Sequence, residues 1–468
     1  MNCKNQMFRG YISGALALAG CLAYSTAARA DVTLVEKDDW SVFTNGRVQG
    51  FFSYANGGGY PAPFKDGNGN DVELWGGGVS RNDGLVDVVP TENNYGKINE
   101  MRFRSGFVGN VLGVGAKKQL SKDTYVQGYI AIAATIQPPA RRKYTKVYPD
   151  AREGYLQLSA PWGTVRAGRM GTLLGRGNTE ITYLYGYAYA LGFPGSVSEK
   201  SEPYPTAGHV GFGVLGNGFG AGISYETPSL AGVQATLAVF DANTYPNNGW
   251  ERVRWPRPEL ELAWQQDFTP TTKVKVFANA AMQKLYRDQS SKETTVQGAG
   301  FGTRVEVGPV HLGLAGHYGK GIGFNYAFEP SDAMSDQIAR GAELRTVDGF
   351  YGQLQVVLGK IDLQAGAGMS RVHLLPTDTT DMNDNDANPA TPAGDDDSTP
   401  GPDSTGFTPI QRQLGLSAGV VYHIGGNLHL ALDYFNADFQ WYDTAPRSPA
   451  GTPKQKLHVI NTGMTFDW

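Results

Sequence analysis

The chain has 468 residues, with 40 Lys and Arg against 44 Asp and Glu, a formal net charge of −4 that argues against a general binder of nucleic acid or anionic surfaces. Both cysteines, Cys3 and Cys21, lie in the first thirty residues, so a mature chain without that segment has no disulfide framework and no cysteine-based metal site. Beyond that segment no apolar run approaches the ~18 residues that a spanning helix needs.

Residues 1–30 have the parts of a secretory signal: Lys4 and Arg9, a largely apolar stretch from Ile12 to Tyr24, and Ala28-Arg29-Ala30 as a small-x-small cleavage site. Leu18-Ala19-Gly20-Cys21 is a competing lipoprotein box; cleavage after Ala30 is preferred and leaves residues 31–468 as one domain. Alternating, aromatic-rich segments then follow at about 40–55, 98–118, 124–136, 152–160, 164–170, 207–227, 233–241, 258–267, 272–287, 294–307, 310–319, 346–358, 361–374, 409–424, 427–442 and 455–468. These are sixteen predicted strands, an even number that returns both termini to one side.

The connections alternate strictly in length. Short turns fall at Leu120–Asp123, Pro161–Gly163, Ser229–Gly232, Phe268–Thr271, Gly308-Pro309, Gly359-Lys360 and Gly425-Gly426. Mostly long polar links lie between them, at 56–97, 137–151, 171–206, 242–257, 288–293, 320–345, 375–408 and 443–454. Short turns on one side and long loops on the other fit a membrane barrel, and a soluble sandwich has no reason to keep that order. The link at 375–408, with Asp381–Asp386 and Asp395–Asp397, lacks the glycine and closing glutamate of a calcium loop, and Asp66–Asp71 is no better a match, so no metal is expected at either.

The last strand is the most informative. Ile460, Thr462, Met464, Phe466 and Trp468 share one side, and Val459, Asn461, Gly463, Thr465 and Asp467 the other. That period of two, with a terminal aromatic ring, is the pattern of a closing strand whose outer face meets lipid. A membrane protein without spanning helices is a closed barrel, since no other fold satisfies its backbone in hydrocarbon. Met464, Phe466 and Trp468 are then the expected assembly signal.

Alternation also assigns faces elsewhere. Asn45, Arg47, Gln49 and Ser53 oppose Val42, Val48, Phe52 and Tyr54; Arg102 and Arg104 oppose Met101, Phe103 and Phe107; Gln127 opposes Val126 and Ile130. An arginine facing lipid at mid-membrane costs roughly 2–4 kcal/mol, so these side chains are expected to face inward. Several arginines on neighbouring strands imply a water-filled lumen rather than a dry core.

Three stretches resemble the Gram-negative general porins: Met101-Arg-Phe-Arg-Ser-Gly-Phe-Val-Gly109, Gly154-Tyr-Leu-Gln-Leu-Ser-Ala-Pro-Trp-Gly-Thr-Val-Arg-Ala-Gly-Arg169, and Tyr225-Glu-Thr-Pro-Ser-Leu-Ala-Gly232. The resemblance implies an all-β, transmembrane antiparallel barrel of sixteen strands, with long external loops, short periplasmic turns and the third loop folded into the lumen. It implies a homotrimer integral to the outer membrane, with the barrel-assembly machinery, outer-membrane lipid, and small solutes and ions as partners. It further implies a constriction with a basic wall, for which Arg47, Arg102, Arg104, Arg166 and Arg169 are candidates beside Gln127. Acids on the third loop would oppose that wall; Glu180, Glu199 and Glu202 lie there, although the family's Pro-Glu-Phe-Gly-Gly-Asp type segment is not recognisable. Strict alternation puts Arg166 and Arg169 on opposite faces unless a bulge intervenes near Gly168. Tyr183, Tyr185, Tyr187 and Tyr189 in the same loop read as rings packing on the wall rather than as a sugar track.

No histidine lies in a nucleophile or barrel-lipase motif, and phosphate-loop, cofactor and metal motifs are absent from the sequence. The expected function is a water-filled channel for passive diffusion of small hydrophilic solutes and ions. A substrate-selective channel for sugars or organic acids is the alternative, with a barrel enzyme ranked below it.

Overall fold

The computed structural model describes residues 31–58, 97–134, 150–180, 208–245, 252–286, 293–329, 342–376, 410–442 and 454–468, apart from isolated positions within them, plus short pieces at 64–65, 71–72, 250 and 339–340. The signal segment, both cysteines and the acidic stretches at 381–397 lie outside the described residues.

One sheet contains eighteen strands. They are β1 (Val32–Lys37), β2 (Trp40–Gly58), β3 (Lys97–Arg104), β4 (Asn110–Ser121), β5 (Thr124–Ala134), β6 (Asp150–Ala160), β7 (Gly163–Gly171), β8 (Phe219–Glu226) and β9 (Val233–Phe240). The chain continues through β10 (Arg257–Thr269), β11 (Thr272–Tyr286), β12 (Glu293–Val307), β13 (Val310–Lys320), β14 (Thr346–Leu358), β15 (Ile361–Val372), β16 (Ile410–Gly425), β17 (Leu428–Trp441) and β18 (Lys454–Asp467). Apart from β3 and β4, which both pair with β2, each pairs antiparallel with its sequence neighbour, and β2 pairs with β18 from Arg47↔Asp467 to Gly57↔Leu457, which closes the barrel. The backbone of Trp468 exchanges two further hydrogen bonds with Gly46. Its indole lies where a Cβ on residue 46 would stand, so only glycine fits there.

Eighteen strands make sixteen crossings. β3 and β4 are halves of one, pairing with the upper and lower parts of β2 around an insertion, while β1 only extends the rim as a hairpin on β2. The reading that began at residue 40 missed β1, whose turn is marked by Asp38 at φ 53°. The predicted strand at 207–227 is strand only from Phe219 to Glu226. Gly208, Gly211 and Gly213 adopt positive φ, and a chain bent that often cannot stay in a ladder.

Burial runs opposite to that of a water-soluble sheet. Gln49, Ser53, Asn279, Gln353, Asn461 and Thr465 are buried, while Met101 (63 % exposed), Phe103 (72 %), Ile223 (60 %) and Leu156 (57 %) stand open on the other face. Apolar surface on that scale is stable against hydrocarbon, not water. Polar groups therefore line the inside.

Candidate functional site

Glu259-Leu-Glu261 on β10 alternates acid and leucine, so both carboxylates point inward while Leu260 faces out. Glu259 is pinned by Arg257 at 2.8 Å and accepts the backbone N–H groups of Leu173 and Leu174 at 2.6 and 3.0 Å. The connection that leaves β7 is thereby tied to the inner wall as it emerges. It turns at Gly175 and forms the short helix α1, Arg176–Glu180. Arg176 bridges to Glu261, and Glu180 bridges to Lys275 on β11. Burial works against both charges, yet Glu261, followed by Glu180, holds the Arg176 guanidinium above its usual range. For Glu180, burial is outweighed by Lys275 and Arg176, so its carboxyl titrates low.

The return segment, 208–218, lies farther along the same inner wall, with Val210 and Val214 in one cluster with Phe277 of β11, Ala315 of β13 and Tyr351 of β14. His209 is fully buried; its Nε2 is 2.7 Å from Ser417 Oγ on β16, and its ring sits 4.6 Å from that of Tyr351 on β14. Gly213 donates its N–H to Ser370 Oγ at 2.9 Å, and Gln413 Nε2 donates to the Gly211 carbonyl at 3.2 Å. Phe212 packs edge-on against Phe435 and Phe439 of β17. Burial pushes the His209 imidazole down to about 3, only partly offset by the Phe212 carbonyl. The two described ends of this connection thus meet inner-face residues from β10 to β17, and they join each other where the Thr172 N–H donates to the Gly218 carbonyl.

The other candidates fall as follows. Arg47 is buried, with Nε 2.5 Å from Asp467 across the closing seam. Gln127, Gln157 and Arg166 stand in one register row on β5, β6 and β7. Arg166 Nε donates to Gln157 at 2.7 Å, and its guanidinium is 3.5 Å from Glu226. Arg102 pairs in register with Ser53 and Arg104 with Phe51, and only the backbone of these two arginines is described. Glu199, Glu202 and the four loop tyrosines lie outside the described residues. Arg169 is exposed on the outer face, between Gly154 and Ala221: β7 runs in unbroken register with both neighbours, so no bulge turns its side chain inward. Met464 and Phe466 also face outward, and Phe466 stacks on Trp468.

The described charges are matched in local pairs, within a strand at Arg257–Glu259, across strands at Arg166–Glu226 and between connection and wall at Arg176–Glu261 and Glu180–Lys275, so wall and connection each carry both signs. Sequence reasoning passed over Glu226, Glu259, Glu261, Lys275 and Asp467, each of which answers a basic or acidic partner inside. The Glu-Leu-Glu alternation on β10 was the available signal.

A polar interior, an apolar exterior and a closed antiparallel sheet are now joined by a family match. The family described as Gram-negative porin matches residues 14–467. The chain belongs to that family. Among solved structures, the outer membrane channel DcaP of Acinetobacter baumannii is similar, with 12 % identity and a TM-score of 0.57, over 93 % of this chain and 100 % of that one. An anion-selective porin from Comamonas acidovorans follows, at 13 % identity and a TM-score of 0.54, over 92 % and 100 %. No curated protein sequence matches. This porin is an outer-membrane channel for passive diffusion, and its family and fold are those of a channel rather than an enzyme.

Proposed function

We propose that this porin passes small hydrophilic solutes and ions with weak charge selectivity, and that the connection between β7 and β8 forms its constriction. The observation that carries this is that both described ends of that connection are tied to inner-face groups, Glu259 on β10 and Ser417 on β16. Its charges are matched locally: Arg176 with Glu261, Glu180 with Lys275, and Arg166 with Glu226. Matched pairs present little net field to a passing ion, in contrast to a lumen ruled by one sign.

Export rests on cleavage after Ala30, and insertion on recognition of Met464, Phe466 and Trp468 by the barrel-assembly machinery, with lipid around the apolar face. A homotrimer fits Arg169, an arginine placed on the outer face among the small residues Gly154, Ala167 and Ala221.

The test is single-channel conductance and reversal potential of the refolded mature chain in a planar bilayer. Stepwise openings in threes with a reversal potential near zero are expected. Lys275→Gln exposes Glu180 and should move the reversal potential toward cations; Glu261→Gln exposes Arg176 and should move it toward anions. Neither shift in a conducting barrel would place the constriction elsewhere. Small currents blocked by one solute class would favour a substrate-selective channel.

A further inference from the structure

On the inner face at the short-turn rim, side chains of β13 to β17 form a continuous chain of hydrogen bonds. His311 Nδ1 lies 3.1 Å from Gln355 Oε1, Gln355 Nε2 donates to Asp362 Oδ2 at 3.0 Å, and the same oxygen lies 2.8 Å from His423 Nε2. His423 Nδ1 then stands 2.7 Å from His429 Nδ1, with the two rings at 85°. A neutral His423 that donates from Nε2 presents a bare Nδ1, so the hydrogen between the two Nδ1 atoms belongs to His429. Two imidazole nitrogens share one hydrogen at a site where a metal ion can replace it.

Two buried carboxylates flank the pair and point to a cation. Asp362, 7 % exposed, forms no ion pair with lysine or arginine among the described residues, and its Oδ1 has no hydrogen-bond partner. Asp467, 2 % exposed and two residues beyond the Thr465 that faces His429, gives Oδ1 to Arg47, and its Oδ2 has no hydrogen-bond partner among the described residues. Buried carboxylate oxygens without donors are unfavourable, so positive charge at the imidazole pair stabilises both. Asp362 also occupies the far nitrogen of His423, as a carboxylate does behind a metal-binding imidazole, fixing its tautomer and raising its basicity.

We propose that His423 and His429 form a two-imidazole site for a borderline transition-metal dication, Zn²⁺ or Ni²⁺, with Asp362 as the orienting carboxylate and water completing the coordination. Nitrogens sharing an ion at about 2.0–2.1 Å stand roughly 3.0–3.4 Å apart, so the rings rotate and separate by less than ~1 Å to admit it. No group of three or more histidine, cysteine or acidic side chains able to hold an ion occurs among the described residues, which sets the affinity below that of a closed structural site. Mg²⁺ and Ca²⁺, which prefer oxygen, are excluded by the donor set.

The test is calorimetric titration of the folded, tag-free barrel in detergent with Zn²⁺ and with Ni²⁺. Saturable binding of one ion per chain is expected, with none for Mg²⁺. Asp362→Asn should weaken it roughly 10–100-fold, and the His423→Gln, His429→Gln double variant should abolish it. In bilayers Zn²⁺ should shift the reversal potential toward anions in the wild type only. Unchanged binding by the double variant, or none by a wild-type barrel whose circular dichroism shows the strand content, overturns the site. Because calorimetry reads binding whether or not the barrel conducts, failure of the channel reading and failure of the metal site are distinguishable.

Discussion

At the scale of single residues, the closing seam shows how a membrane barrel handles buried charge. Arg47 and Asp467 are both nearly inaccessible and meet at 2.5 Å across the pairing that joins the two ends of the barrel. Removing one partner strands the other charge in a place water does not reach. Arg47→Ala is therefore expected to cost about 3–5 kcal/mol, read as a lower thermal or denaturant midpoint of the detergent-folded barrel. The Arg47→Met, Asp467→Leu pair of changes should recover most of that loss, because no charge is left unpaired. An Arg47→Ala barrel as stable as wild type would show that water reaches Asp467. Alternation around residues 45–53 correctly gave the inward face of Arg47; its partner, 420 residues away, was not legible because a local pattern assigns faces, not neighbours.

Among the elements, the connection between β7 and β8 departs most from its sequence reading. Residues 207–218 carry enough alternating apolar side chains to resemble a strand, and the glycines among them decide otherwise. At Gly213 a side chain would collide with the Phe350 carbonyl, so this stretch lies flat on the wall where no residue with a Cβ fits. His209 fastens it, and its burial in the neutral form makes the fastening depend on pH. The folded-state value of about 3 is depressed below the ordinary 6.5, so the unfastened state binds the proton more tightly. The stabilisation is complete above about 6.5 and decreases by roughly 1.4 kcal/mol per pH unit as pH falls toward about 3. Hydrogen exchange over residues 208–218, taken relative to the intrinsic amide rate at each pH, should accelerate as pH falls across that window and become independent of pH in His209→Gln. Equal acceleration in the variant would assign the effect to Glu180, whose carboxyl is also held low, or to the wall acids.

On the scale of the whole molecule, strand number, turn positions and faces were legible because a two-sided solvent problem writes a period of two into every crossing. The insertion between β3 and β4 and the hairpin of β1 were not, since both alter pairing without altering that period. Arg169 is the residue where the same logic turns outward. Alternation in an unbroken register sends it to the lipid face, where an arginine at mid-bilayer is unfavourable by roughly 2–4 kcal/mol. Its neighbours Gly154, Ala167 and Ala221 leave the surface flat, a shape that suits close approach of another barrel better than it suits lipid. If the face is covered by a second protomer, Arg169→Leu should weaken the trimer in cross-linking and in detergent gel filtration while leaving the monomeric barrel folded. If lipid covers it, the same change should raise the thermal midpoint and leave the assembly unaltered. The sign of the stability change therefore reports what lies against this side of the barrel.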